Sequence, residues 1–293
     1  MIGLIGHEVV TMKSLKIFTF ILLLLSLSAC TVKFVYNNLD WVVKWYVDDY
    51  ITLTAEQKPI FNAHLAELLH YHRQQHLPEY ASLLQDIARE ADQGLTVDQI
   101  QSYQNRFGHL IEALVVEAID PLTLLLAQMN DQQVHALQDG FDKANRSFIE
   151  RFISTSEDAQ RQRQAQNLAK MLQRFVGSLN TQQLAMIQRW STEYHLMGVE
   201  FLQTRLGWQA QFMALLAERH QADFKQHLHA YLLSPATQQS AVYQEKVAHN
   251  QQLMWVLLVN INSSLDAKQK QSLQRNLYKL AEDFTELALH KTR

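Results

Sequence analysis

Apolar side chains recur along this chain at helical rather than strand spacing. Leu273, Leu277, Leu280, Phe284 and Leu287 step by fours and threes, and so do Ile187, Trp190, Tyr194, Met197 and Phe201. Each set predicts one apolar stripe on one helix face. Leu253 to Val259 is apolar throughout, which predicts a helix covered on most sides. No period-two run of β-branched residues is long enough to form a strand.

A start signal repeats between these stripes. Leu53-Thr54-Ala55-Glu56-Gln57, Leu95-Thr96-Val97-Asp98-Gln99, Met129-Asn130-Asp131-Gln132-Gln133, Leu179-Asn180-Thr181-Gln182-Gln183 and Leu265-Asp266-Ala267-Lys268-Gln269 share one form. A capping residue is followed three positions later by Gln. The cap side chain accepts from an early backbone N–H, and the Gln accepts from the cap's own N–H. Leu95 with Ile100, Met129 with Val134 and Leu179 with Leu184 supply hydrophobic staples. Pro59 falls in a first turn, where a missing N–H costs little. Asp120-Pro121 predicts a break after the helix of Leu110, Ile111, Leu114 and Val115, and Leu77-Pro78 predicts another. The Gln- and Arg-rich stretch 140–176 reads as one helix with a solvated face. The expected fold is all-α, a bundle of about eight amphipathic helices.

Composition narrows the function classes. The 293 residues are 47% hydrophobic, enough for a core and too many for a disordered chain. Eight glycines and four prolines are too few for a sandwich or barrel. The net charge of -3 offers no overall basic field to nucleic acid. The single cysteine excludes a disulfide framework and a thiolate zinc site. The 33 glutamines make much of the polar surface a neutral amide surface.

The cysteine's position is informative. Met12-Lys13-Ser14-Leu15-Lys16 is basic, and Ile17 to Leu27 is apolar except for Thr19 and Ser26. Basic, apolar and small-residue segments in that order predict a signal peptide over residues 1–29. The apolar run is shorter than the ~20 residues that span a bilayer. Residues 1–11 add nothing to the signal, so Met12 is the expected initiator. Leu27, Ser28, Ala29 and Cys30 resemble the lipobox of bacterial lipoproteins, which implies lipidation of Cys30. Thr31 stands where lipoproteins of the inner membrane commonly carry Asp, and this implies outer-membrane sorting. Residues 30–293 are then a lipid-anchored helical domain facing the periplasm. A division into two sub-bundles near residue 178 is compatible with the pattern.

Further segments carry a family resemblance. Phe34-Val35-Tyr36-Asn37-Asn38-Leu39-Asp40-Trp41, then Trp45-Tyr46-Val47-Asp48-Asp49-Tyr50 and the Leu53-Thr54 cap, resemble the opening of the DUF6279 lipoproteins of proteobacteria. Gly177 to Gln183 is similar to that family's mid-chain helix start, and Arg205-Leu206-Gly207-Trp208-Gln209 to its later Arg/Trp segment. The resemblance is strongest between Val35 and Gln57. It implies a class and a location but no active site. The repeated cap signal also resembles, more distantly, the Leu-Thr-x-x-Gln motifs of the Spy and CpxP periplasmic proteins.

Candidate chemistry is sparse. Asp40, Trp41, Trp45, Asp48, Asp49, Arg205 and Trp208 are the candidates for partner contact. Trp41 and Trp45 lie one helical turn apart; they suit a membrane interface, but core anchoring is the favoured expectation. Asp48 and Asp49 sit near a helix C-terminus, where negative charge is disfavoured, and Arg205 is the expected partner. His72 and His76 share a helix face, and His64 and Glu67 are the residues that would join them around a metal ion. Packing and surface roles are the expectation for these histidines. Glu117 is a candidate buried acid, with exposure on the polar face preferred. No nucleophile elbow, phosphate loop or dinucleotide fingerprint is present, and no pattern demands a cofactor. The sequence therefore leans toward a non-enzymatic binding or adaptor protein with an envelope partner, including a chaperone-like variant. The alternative is a metal-binding protein or hydrolase acting on an envelope substrate.

Overall fold

In the computed structural model, residues 29–233 and 239–289 are described. They form α1 (Ala29–Asn37), α2 (Leu39–Asp48), α3 (Gln57–Tyr71), a π-helical turn (His72–His76), α4 (Leu77–Gln93), α5 (Val97–Ala127) and α6 (Asp131–Phe152). Then follow α7 (Glu157–Val176), α8 (Thr181–Glu193), α9 (Gly198–Ala217), α10 (Phe224–Leu233), α11 (Ala241–Ser263) and α12 (Ala267–Leu289). No strand occurs among the described residues. The fold is all-α, but α3, the π turn and α4 make one rod, so the described rods number eleven rather than about eight.

All five start signals close as capping boxes. In each, the Gln backbone N–H donates to the cap side chain and the Gln Oε1 accepts from the cap N–H. Four of the glutamines go further and clasp helix starts together in pairs. Gln57 and Gln133 exchange amide hydrogen bonds at 3.1 and 2.6 Å, joining the starts of α3 and α6. Gln183 and Gln269 exchange them at 2.9 Å each, joining α8 and α12. Each Nε2 also donates to the carbonyl five residues before its partner: Gln128, Thr52, Ser264 and Ser178. All four side chains are buried. These amides are therefore interior joints, not part of the solvated surface.

Three predicted boundaries move. Helix α5 runs unbroken through Pro121. Burial of Ile119 and Leu126 on either side of it holds both halves in the core and outweighs the helix-breaking tendency. The stretch 140–176 divides at Ser156, whose Oγ caps α7 by accepting from the Ala159 N–H at 3.3 Å. The stripe from Ile187 to Phe201 crosses a helix end at Tyr194. There Arg161 donates to the carbonyls of Ser191, Thr192 and Tyr194, and Asn250 brackets His195 through both its N–H and its C=O.

The core lies in three main clusters. Val32, Tyr36, Leu77, Tyr80, Leu280, Phe284 and Leu287 join α1, α4 and α12. Ile51, Leu53, Leu126, Met129, Phe212, Leu216, Phe224 and Leu228 form the second, and Leu168, Leu172, Ile187, Trp190, Leu257 and Ile261 the third. The strand-free connection after α2 passes close over α6: a Cβ at Gly140 would meet Tyr50 Cδ1 at 2.8 Å, so only glycine admits this approach.

Candidate functional site

The N-terminal helices α1 and α2, which meet at the non-helical Asn38, together present two faces. Val32, Tyr36, Leu39, Val43 and Val47 recur by fours and threes; Val32 and Tyr36 are buried, and Leu39 and Val47 pack on two of the core clusters. Phe34 on α1 and Trp41 and Trp45, one turn apart on α2, face away from that core. They are 68%, 64% and 57% exposed, and Tyr46 is 58% exposed. Trp41 and Trp45 are thus not the core anchors favoured from sequence. Helix α2 has no fully buried residue; Leu39 and Val47, both partly buried, make its contacts with the core.

The inward face docks on the π turn. Pro78 has no N–H for the preceding turn, and just ahead of it the ladder widens, with the Leu77 N–H donating to the His72 carbonyl. Tyr36 Oη lies 2.8 Å from His72 Nδ1, and Tyr80 Oη lies 3.5 Å from His72 Nε2. The Tyr36 and His72 rings stack at 5.7 Å. Arg73 is buried; it donates to the Leu287 carbonyl at 2.7 Å and to Asn37 Oδ1 at 3.2 Å, and its guanidinium sits 4.8 Å above the Tyr36 ring. Lys33 pairs with Asp283 at 2.8 Å and with Glu286, fastening α1 to α12.

Burial, aided by the charges of His76 and Arg73, pushes the His72 imidazole down from 6.5 to about 4. Burial also lowers His76, whose Nδ1 has no hydrogen-bond partner. Both imidazoles are neutral at neutral pH. The cluster therefore works as an aromatic clamp on α1, and it loses that neutrality only in acid.

The other candidates disperse. His64 and Glu67 form a surface pair at 3.2 Å on α3. Among the described residues no three His, Cys, Asp or Glu side chains are grouped to hold a metal ion. Asp48 and Asp49 are exposed, and no ion pair within 4.0 Å joins either to Arg205. The α2 end is closed by its own backbone, since the Tyr50 and Ile51 N–H groups donate to the Val47 carbonyl. Burial and the Tyr46 hydroxyl push the Tyr50 hydroxyl up to about 12, and the Arg205 charge acts against that rise. Asp40 pairs with Lys44 on the surface at 3.4 Å. Trp208 stacks on Phe212 at 5.4 Å and packs on the second core cluster, and so is structural. Glu117 is exposed. Leu27 and Ser28 lie outside the described residues, as do the side chains of Ala29 and Cys30.

The Tyr36-His72-Arg73 clamp was missed in the sequence. Its one visible trace was Leu77-Pro78, which marks the helix irregularity but not what packs against it.

A family described as "Family of unknown function (DUF6279)" matches residues 49–244. The match takes in the Gly177–Gln183 and Arg205–Gln209 segments and begins inside Val35–Gln57. No curated protein and no solved structure matches the chain.

Proposed function

The chain belongs to the DUF6279 family, and from that premise we propose that it is an outer-membrane lipoprotein, anchored through Cys30, whose helical body faces the periplasm and binds another envelope protein. The observation that carries this reading is Leu27-Ser28-Ala29-Cys30, with the chain's single cysteine at the lipobox position, behind a basic and then apolar leader. Several acyl chains, each gaining ~0.8 kcal/mol per buried methylene, hold a protein firmly where one chain would not.

A surface groove supports the binding role. It is a recess of about 370 Å³ between α4 and α12, lined largely by apolar atoms of Pro78, Ala81, Ala288 and Leu289. Leu289 at its edge is 79% exposed. Such a recess suits an apolar segment of a partner, or weakly held segments of unfolded clients in the chaperone-like variant.

Crosslinking in intact cells, followed by denaturing capture of the protein, tests the reading. The expected result is one dominant envelope protein, enriched severalfold over a Cys30→Ala control. Many unrelated periplasmic proteins in similar amounts would support the chaperone-like variant. No protein above the control contradicts the binding role.

A further inference from the structure

We propose that the outward aromatics Phe34, Trp41 and Trp45 are a bilayer-contact surface that lays α1 and α2 in the membrane interface and so orients the body; this rests on the lipid anchor proposed above. A helix apolar on one face has one partner to find, whereas α1 and α2 carry large apolar side chains on two opposite faces. Their inward side is already occupied by the protein core. Their outward side carries Phe34 on α1 and Trp41 and Trp45 one turn apart on α2, with Asp48 next on that face of α2, and none of the aliphatic residues of a helix–helix seam. Neither the Trp41 nor the Trp45 indole N–H has a hydrogen-bond partner among the described residues.

The position of the stripe selects the occupant. Phe34 follows Cys30 by four residues, about 6 Å along a helix. Trp45 follows it by fifteen, about 22 Å. Acyl chains on Cys30 therefore bring this face within reach of the headgroups before any protein partner arrives. Tryptophan and tyrosine concentrate at that depth because an apolar ring and a polar edge are both satisfied there. Asp48 and Asp49 mark the far end of α2, where it leaves the surface.

The test uses the full mature protein, isolated with its native modification and reconstituted into phosphatidylethanolamine/phosphatidylglycerol vesicles with brominated acyl chains. Bromine quenches the wild-type tryptophan fluorescence, and the Trp41→Phe/Trp45→Phe variant loses most of that quenching. Trp190, Trp208 and Trp255 remain in the variant as unquenched controls in the body. In residues 30–293 produced without the leader and carrying Cys30→Ser, Trp41→Ala/Trp45→Ala lowers vesicle partitioning by roughly tenfold or more. Circular dichroism checks that each variant keeps its helices. Equal quenching in wild type and double-Phe variant, on a protein whose mass shows the acyl chains, overturns the bilayer surface. A mass without acyl chains overturns the anchor instead, and the partitioning comparison in the Cys30→Ser background still decides the stripe.

Discussion

Gln183→Ala lowers the unfolding free energy by about 3 kcal/mol, while Gln99→Ala costs about 1 kcal/mol or less. Both residues close a capping box, and both sit in the same sequence signal. They differ in what else they hold. Gln99 is partly exposed and bonds only to Thr96, so water replaces much of what is lost. Gln183 is fully buried and joins Asn180, Ser264 and Gln269. Its truncation leaves the Gln269 amide, the Ser264 carbonyl and the Asn180 N–H without their partner in a site closed to water. Stranded buried groups carry their full desolvation cost, and networks lose more than the sum of their pairs. Urea unfolding of the two variants checks the contrast. A double-mutant cycle with Gln269→Ala should show strong coupling, because the second truncation removes a group the first has already orphaned. Equal losses for Gln183→Ala and Gln99→Ala would refute the clasp.

Acid should loosen the clamp under α1. His72 carries an ordinary pKa near 6.5 when unfolded and about 4 in the folded protein, chiefly through burial. Above 6.5 the imidazole is neutral in both states and the contribution is complete. Between 6.5 and about 4 the unfolded chain takes up a proton that the folded protein refuses, so stability falls as pH falls. The full loss is about 3 kcal/mol, most of it reached by pH 4.5. His76 adds in the same direction. Urea unfolding of wild type and His72→Gln at pH 7.5 and pH 4.5 separates this from the carboxylates, which both proteins share. The stability advantage of wild type should shrink by about 2–3 kcal/mol on acidification. An unchanged difference between the two proteins would contradict a buried, neutral His72.

Much of the fold was legible because helix starts are local. A capping box involves residues three apart, so all five could be read and all five formed. The clasps were not legible, because a capping Gln has the same form whether its amide meets water or another amide 76 or 86 residues away. Pro121 misled for the same reason: propensity is local, while the packing of Ile119 and Leu126 that overrides it is not. The faces of α1–α2 were half legible. Spacing placed Trp41 and Trp45 together, but only the tertiary structure shows that Leu39 and Val47 make the inward contacts of α2. The His72 clamp depends on α1 meeting a turn 36 residues later, which no periodicity records.

The anchor at Cys30 is tested most directly by mass spectrometry of the N-terminal tryptic peptide from the membrane fraction. The expected species is Cys30-Thr31-Val32-Lys33 carrying a thioether-linked diacylglyceryl group and an amide-linked acyl chain. Recovery of unmodified Cys30, or of a peptide in which Ala29 is still joined to it, would contradict the anchor and the envelope role built upon it.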